Sequence, residues 1–145
     1  MVIWASLLFT FSTDRFSSEH TQSAVIGILH ALLPFASQDT LVTLHAFIRK
    51  CAHFVNYFVF GLLLFRAIRT PRQGWNWRWA FLALLIAGLY ASSDEIHQVF
   101  VPSRGASIWD ALLDTAAAAA AQATIWAATR RQALRAPRPG AHDSG

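Results

Sequence analysis

The sequence predicts an all-α fold, a polytopic membrane helical bundle of about four transmembrane helices with one or two short amphipathic helices on its outer face. Composition is the first observation: 54% of the 145 residues are hydrophobic and 14% are charged, whereas soluble domains carry about 25% charged residues. The second observation is a set of apolar runs near the roughly 20 residues that a bilayer core requires. The length fits one such domain, and we expect no additional soluble catalytic domain.

Three apolar runs are long enough to span a membrane, at residues 51–68, 79–101 and 108–128. A fourth run, at residues 2–11, covers only about half of the bilayer core at about 1.5 Å per helical residue. It has no basic region before it and no small-residue cleavage site, so a signal peptide is a poor interpretation. We expect a first span that is unusually short or whose beginning is missing.

Residues 12–50, between the first and second spans, are more than a plain loop. Apolar residues recur at helical spacing over residues 25–33 and 41–48, and Pro34 ends the first stretch. The pattern predicts two short amphipathic helices, with Asp39 as the cap of the second. They would bury their apolar faces either in the membrane surface or in a hairpin packed on the bundle.

The basic residues predict the orientation of the bundle. Two arginine clusters border the apolar runs, so the positive-inside rule places both in the cytoplasm, together with the C-terminus. We expect residues 129–145 to form a basic, disordered cytoplasmic tail. The clusters lack the aromatic interleaving of a single-strand binder, so no nucleic-acid partner is predicted. Their members are Arg66, Arg69, Arg72 and Arg78, then Arg130, Arg131, Arg135 and Arg138.

Polar side chains inside the spans are the candidate functional residues, because ionisable groups are costly in a bilayer. Counting about 1.5 Å per residue from the cytoplasmic anchors places the polar groups of three spans about 24 to 26 Å away, within a core about 30 Å thick. Their common level is just inside the outer surface. The candidates are Lys50, His53 and Tyr57 in the second span, Asp94, Glu95, His97 and Gln98 in the third, Asp110 and Asp114 in the fourth, and Arg104 in the turn before the fourth.

Three kinds of role fit this cluster. Its histidines and carboxylates could ligate a metal, yet their spacing matches no compact zinc motif, and Lys50 and Arg104 would repel a cation, so no metal is predicted. Paired carboxylates and a histidine in a low-dielectric pocket could perform acid/base chemistry. The carboxylates could instead pair with cations only to hold the helices together. The chain has no nucleophile elbow, phosphate-binding loop or cofactor fingerprint, so no cofactor is predicted.

Three stretches share a recognisable pattern: RKCAHFVNY at residues 49–57, SDEIHQVFVPSR at residues 93–104 and DALLD at residues 110–114. The pattern resembles that of the VanZ-like family of small bacterial membrane proteins, which is roughly K-x-x-H-F-x-E-Y, S-D-E-x-H-Q-x-F-x-P-G-R and D-x-x-x-N/D-x-x-G. The chain departs from it where Asn56 replaces an acidic residue, Ser103 replaces a glycine, and Ala117 and Ala121 replace glycines.

The resemblance implies a VanZ-like transmembrane domain over residues 1–128, located in the inner membrane of a bacterium among membrane lipids. It also implies a relationship to a protein associated with resistance to the glycopeptide antibiotic teicoplanin. It does not define a molecular activity, so whether the chain is an enzyme stays open. The residues do not define the oligomeric state.

The first hypothesis is an outward-facing polar pocket that binds a cell-envelope molecule, such as a cell-wall precursor, with modification of that molecule left open. Asp94, Glu95 and His53 are the candidate acid/base or orienting groups. The alternatives are a non-enzymatic transporter or accessory membrane subunit and a structural membrane protein. Transport is disfavoured because the inner half of each span is expected to be apolar. The candidate ligand-binding residues are Lys50, Tyr57, His97, Gln98, Arg104, Asp110 and Asp114.

Overall fold

The computed structural model describes residues 18–69, 74–99 and 107–135, apart from the side chains of residues 18–22, 97 and 98. These ranges contain four helices and no strand, so the predicted all-α class is confirmed for the described residues. The expected first span at residues 2–11 and the turn residue Arg104 lie outside them. The helices are α1 (Ser18–Leu32), α2 (Gln38–Ile68), α3 (Trp77–Val99) and α4 (Ile108–Arg135).

The first short helix of the outer segment is present as α1. It ends at Leu32, because Pro34 cannot continue a helix and disfavours helical geometry in the residue before it. The backbone N–H of Leu33 still donates to the carbonyl of Leu29 at 2.8 Å, which completes the last turn. α1 contacts α2, so these two helices form a hairpin.

The prediction of a separate second short helix at residues 41–48 is wrong. Residues 38–68 form the single helix α2, because neither proline nor glycine occurs between Gln38 and Phe60. The predicted cap is also corrected: the side chain of Ser37 accepts from the N–H of Thr40 at 3.3 Å, and Asp39 lies in the first turn. At about 1.5 Å per residue α2 is about 46 Å long, longer than a bilayer core of about 30 Å.

Two described helices are long and apolar enough to cross a membrane: α2, and α3 over residues 77–96. Only 28% of the most apolar window of each is buried, unlike the core helix of a soluble protein. Large apolar side chains such as Phe81, Leu85 and Leu89 are exposed along α3, as expected for a lipid-facing surface. The prediction of four spanning helices is therefore supported for two of them.

α4 does not meet the same criterion of apolarity. The physical reason is its composition, since Asp110, Asp114 and Gln122 interrupt a sequence rich in alanine, which is only weakly apolar. α4 also continues to Arg135, so residues 129–135, which the sequence assigned to the tail, are helical. The guanidinium of Arg130 lies over the ring of Trp126, 5.3 Å from its centroid.

The core lies between α2, α3 and α4 and is built from large residues on one helix and small residues on the other two. α2 supplies aromatic and leucine side chains, whereas α3 and α4 supply alanines, which let the helix backbones approach closely. The core residues are Tyr57, Phe60, Leu64 and Phe65 from α2, Ala80, Ala83, Ala87 and Ala91 from α3, and Ala117 and Ala118 from α4.

α2 and α4 run in the same direction. His53 lies against Asp114, and Gly61 lies against Ala121, so the contacts advance along both helices in the same order. α3 runs the opposite way, because Glu95 near its end contacts Ser107, just before α4 begins. Three helices joined in alternating directions therefore bring residues from distant parts of the sequence to the same end of the bundle.

This topology gives the bundle two chemically different ends. We call them the polar end and the arginine end. The polar end contains the start of α4, the last turns of α3 and the adjoining part of α2, and the arginine end lies opposite. The polar end is defined by Lys50, Glu95 and Asp110, and the arginine end by Arg66, Arg78 and Arg130.

Candidate functional site

Two cations share one carboxylate at the surface of the polar end. The Lys50 Nζ lies 3.5 Å from Asp110 Oδ1, and the Arg49 Nη2 lies 3.8 Å from Asp110 Oδ2. Both basic side chains are about half exposed, at 54% and 45%. An ammonium has three donors and a guanidinium five, so a single carboxylate leaves most of their donors available to another partner.

A histidine–carboxylate pair lies one turn deeper, again between α2 and α4. The His53 Nδ1 is 3.4 Å from Asp114 Oδ2, which is longer than the usual range of about 2.7 to 3.2 Å. Asp114 is buried, with 2% of its side chain exposed, and His53 is partly exposed. The contact through Nδ1 leaves Nε2 as the ring nitrogen that can meet a further group.

Asp114 uses only part of its capacity to accept hydrogen bonds. Its Oδ1 is buried and has no hydrogen-bond partner in the described part of the chain. A buried carboxylate oxygen without a partner is costly, and native proteins rarely leave one unless a water molecule or ligand completes the site. Asp114 is one of four described residues with a buried polar atom that lacks a hydrogen-bond partner, and the only acid among them.

Tyr57 lies on the same face of α2, one turn below His53. Its ring packs edge-on against Phe60, with centroids 6.2 Å apart, and at a tilt against Tyr90, with centroids 6.5 Å apart. Its hydroxyl is buried and lacks a hydrogen-bond partner within residues 18–69, 74–99 and 107–135. A buried tyrosine hydroxyl usually finds a partner, so Tyr57 is both a core residue and a second unsatisfied polar group.

Glu95 ties the end of α3 to the start of α4. Its Oε2 accepts from the backbone N–H of Ser107 at 2.7 Å. A negative charge is favourable at this position, because the first N–H groups of a helix have no partner within the helix. Asp94 is half-buried, and its carboxylate is within electrostatic range of His53 and Asp114.

The structure thus brings together candidates from α2 and α4, with the two carboxylates of α3 beside them. His97 and Gln98 lie on α3, but their side chains are outside the described set, as is the whole of Arg104. A shallow groove of about 320 Å³ runs beside Glu95, and its lining is mostly apolar, with Ile96 and Ile108 among its residues. The ion pairs on α2 do not line this groove.

The comparison with protein families identifies the relationship that the three motifs suggested. A model of the VanZ/LLP1 family matches residues 1–129. The chain belongs to the VanZ/LLP1 family. Curated proteins and solved structures gave no significant match. Family membership and two apolar helices of spanning length make the chain a membrane protein.

The site of this VanZ/LLP1 protein includes a residue that the sequence analysis did not select. Arg49 shares Asp110 with Lys50, although Arg49 is rotated by about 100° from Lys50 around the helix. Its adjacency to Lys50 was the available signal, since two neighbouring cations can converge on one acid. Among the described side chains, no group of three histidine, cysteine or acidic residues could hold a metal ion.

The expectation that the half of each span toward the arginine end is wholly apolar is wrong at Gln122. Gln122 is buried, and its Nε2 donates to the carbonyl of Gly61 at 3.0 Å. Its position eight residues after Asp114, on the same helix face, was the signal in the sequence. Directly beside this bond, a Cβ on Gly61 would lie 3.0 Å from the Ala118 Cα, so the two helix backbones are almost in contact.

Proposed function

We propose that this VanZ/LLP1 protein is a multi-pass protein of the bacterial inner membrane whose polar end faces outward and binds the anionic or polar head group of a cell-envelope molecule. The observation that carries the proposal is the layered cluster at this end. Two exposed cations share one acid, and a partly exposed histidine lies beneath them, paired with a buried carboxylate that has an unsatisfied oxygen. We further propose that binding there underlies glycopeptide resistance.

The orientation is supported by the arginine end. Cytoplasmic flanks of spanning helices carry an excess of arginine and lysine, and Arg66, Arg78 and Arg130 mark this end on three helices. α4 has 28 residues, about 42 Å at about 1.5 Å per residue, and it lies parallel to α2. We therefore include α4 among the spans, with the C-terminus in the cytoplasm.

The sharing of one carboxylate by two cations supports ligand binding over simple helix locking. One carboxylate suffices to pair one cation, yet Arg49 and Lys50 both depend on Asp110. A buried ion pair also contributes little to helix association, because the desolvation of the charges offsets much of their attraction. Well-packed apolar residues stabilise the contact between helices as well or better. The surplus of donors above Asp110 is a feature that a ligand would use.

A structural role is the second candidate, and one observation favours it. Glu95, Asp110 and Asp114 each have at least one partner on another part of the bundle. If the cluster has only a structural role, mutating its residues should make the protein less stable. It would not change the response of cells to an envelope-directed antibiotic as long as the protein level stays normal.

The test is an antibiotic susceptibility assay in a bacterial host that expresses the full chain. We expect wild type to reduce susceptibility to teicoplanin. Lys50→Ala, His53→Ala, Glu95→Ala and Arg104→Ala should each lose that effect at an unchanged membrane level. Arg66→Ala is the matched control, since it removes a positive charge from the arginine end of α2. If all four variants protect as well as wild type does, the proposal fails.

A further inference from the structure

If Arg69 marks one boundary of the bilayer core, the length of α2 places the polar end at the depth of lipid phosphate groups. Lys50 precedes the C-cap residue Arg69 by 19 positions along α2, or about 28 Å at about 1.5 Å per residue. The hydrocarbon core of a bilayer is about 30 Å thick. With Arg69 at one boundary of the core, Lys50 and its neighbours lie at the other boundary, where the head groups of lipids begin.

Arg49 and Lys50 offer the donors that a phosphate needs. A guanidinium forms a planar fork that matches two phosphate oxygens, and an ammonium adds a point charge with three donors. Both side chains are about half exposed and are held only loosely by Asp110, at 3.8 and 3.5 Å. Asp110 therefore keeps the two cations close together without using up their hydrogen bonds.

His53 supplies a third donor from below in its doubly protonated form, since a neutral imidazole that donates from Nδ1 to Asp114 has only an acceptor at Nε2. It follows Lys50 by three residues and lies on the same face of α2. Asp114 contacts the Nδ1 of its ring, which fixes the orientation of the ring and leaves Nε2 for a ligand. Because the carboxylate of Asp114 is buried, it cannot itself reach a group at the surface and acts through the imidazole.

We infer that the ligand of the polar end is a phosphate mono- or diester at head-group depth, held by Arg49, Lys50 and the Nε2 of His53, with Asp114 as a positioning residue. The inference rests on the proposed function and narrows its ligand from any anionic or polar head group to a phosphate. The phosphate could belong to a membrane lipid or be free in solution, and the experiment below separates these sources.

The experiment measures apparent dissociation constants by native mass spectrometry, on the full chain purified in an uncharged detergent. The probes are dioleoyl phosphatidic acid, dioleoyl phosphatidylglycerol and oleic acid, which is anionic but has no phosphate. We expect both phosphate lipids to bind wild type at least about tenfold more tightly than oleic acid, a difference of one charge-assisted contact. If inorganic phosphate competes with the lipids for binding, the ligand is a free phosphate. If it does not compete, the ligand is a lipid head group. Either result supports a phosphate ligand.

The variants assign the donors. Arg49→Ala, Lys50→Ala and His53→Ala should each weaken phosphatidic acid binding about tenfold, whereas Arg66→Ala should leave it unchanged. His53→Gln places an amide nitrogen near the position of Nε2 and should keep part of the binding, which also controls for misfolding. Asp114→Asn should weaken binding only when His53 is present, because a positioning residue acts through its partner.

Four results would contradict the inference or part of it. Equal affinity for oleic acid and the phosphate lipids would show a general anion site, which leaves the proposed function intact. Equal losses in Lys50→Ala and Arg66→Ala would show nonspecific attraction. If no probe binds, the hypothesis of a phosphate ligand is excluded. The susceptibility assay would still test the proposed function independently. Additive losses in His53→Ala and Asp114→Asn would contradict the positioning role of Asp114.

Discussion

The interface between α2 and α4 has two halves that are built in opposite ways. In the half at the polar end, Lys50 and His53 face Asp110 and Asp114 across distances of 3.4 to 3.5 Å between charged or polar groups. In the other half, a Cβ on Gly61 would lie 3.0 Å from the Ala118 Cα, so the backbones of α2 and α4 approach closely. The polar half is partly open, whereas the small-residue half is closed, although Gln122 Oε1 there is also buried without a hydrogen-bond partner among the described residues. The contrast supports the proposal that ligand binding and helix association are separated along one interface.

The small-residue half carries the association of the helices. Lipid tails are as apolar as leucine, so burying apolar surface against lipid gains little, and helices associate in membranes through close packing and hydrogen bonds. Ala117, Ala118 and Ala121 are fully buried there, and Gln122 adds a hydrogen bond to the backbone of α2. The charged groups of the polar half are consequently not needed as the main source of helix association.

The largest effect should follow from filling the small-residue half. Gly61→Val should lower the free energy of unfolding by about 3 kcal/mol or more, the upper end of the cost of overpacking. The added Cβ would lie 3.0 Å from the Ala118 Cα and 3.1 Å from its carbonyl oxygen, and backbone atoms cannot move aside cheaply. Unfolding by denaturant in detergent measures the change.

Gly27→Val is the matched control for this prediction. Gly27 also lies in a helix, but nothing lies within 4 Å of the position of its Cβ. The control should stay within about 0.5 kcal/mol of wild type, as most surface substitutions do. Equal destabilisation of the two variants would show that the result does not depend on the approach of α2 to α4, since valine is a better helix former than glycine.

An intermediate effect is expected for the His53–Asp114 pair. His53→Ala removes the contact to Asp114 Oδ2 and should lower the free energy of unfolding by about 1 to 3 kcal/mol, since a buried polar group loses a partner. The double variant with Asp114→Ala should be no less stable than His53→Ala alone. A double-mutant cycle measures the coupling, which we expect at about 0.5 to 3 kcal/mol; additive effects would mean that the two residues do not interact.

The smallest effect on stability should come from the exposed cations. Lys50→Ala and Arg49→Ala remove one side of a surface ion pair, which contributes about 0 to 1 kcal/mol. Denaturation in the same detergent should therefore show little change, while ligand binding falls. A loss of unfolding free energy as large as that of Gly61→Val would show that the ion pairs of the polar half contribute most to helix association. It would contradict the division between the two halves.

The convergence of α2 and α4 could be predicted from the sequence because it depends only on helical rise and alternating direction. Counting along three spans places Lys50 and His53 near the level of Asp110, and the helix period places Asp114 on the same face as Asp110. Family membership could also be predicted from the sequence, because the motif at residues 93–104 is specific. Both depend on regular geometry, which the sequence encodes locally.

The specific partners could not be predicted, because periodicity does not fix how each helix is rotated about its axis. Glu95 contacts the backbone of Ser107, and Gln122 contacts the carbonyl of Gly61. Both partners are backbone groups, so the pattern of side chains does not predict either bond. The continuity of α2 was missed for a different reason. An amphipathic stretch followed by an apolar one has the same pattern whether the helix stops at the membrane surface or passes through it.

The shift in melting temperature on adding dioleoyl phosphatidic acid tests the central claim most directly. A ligand that binds only the folded state stabilises it by about 2.7 kcal/mol at a hundredfold excess over Kd. We expect the lipid to raise the Tm of wild type and of Arg66→Ala and to leave the Tm of His53→Ala and Lys50→Ala almost unchanged. An equal rise in all four proteins would show that the lipid binds elsewhere and would contradict the assignment of ligand binding to the polar end.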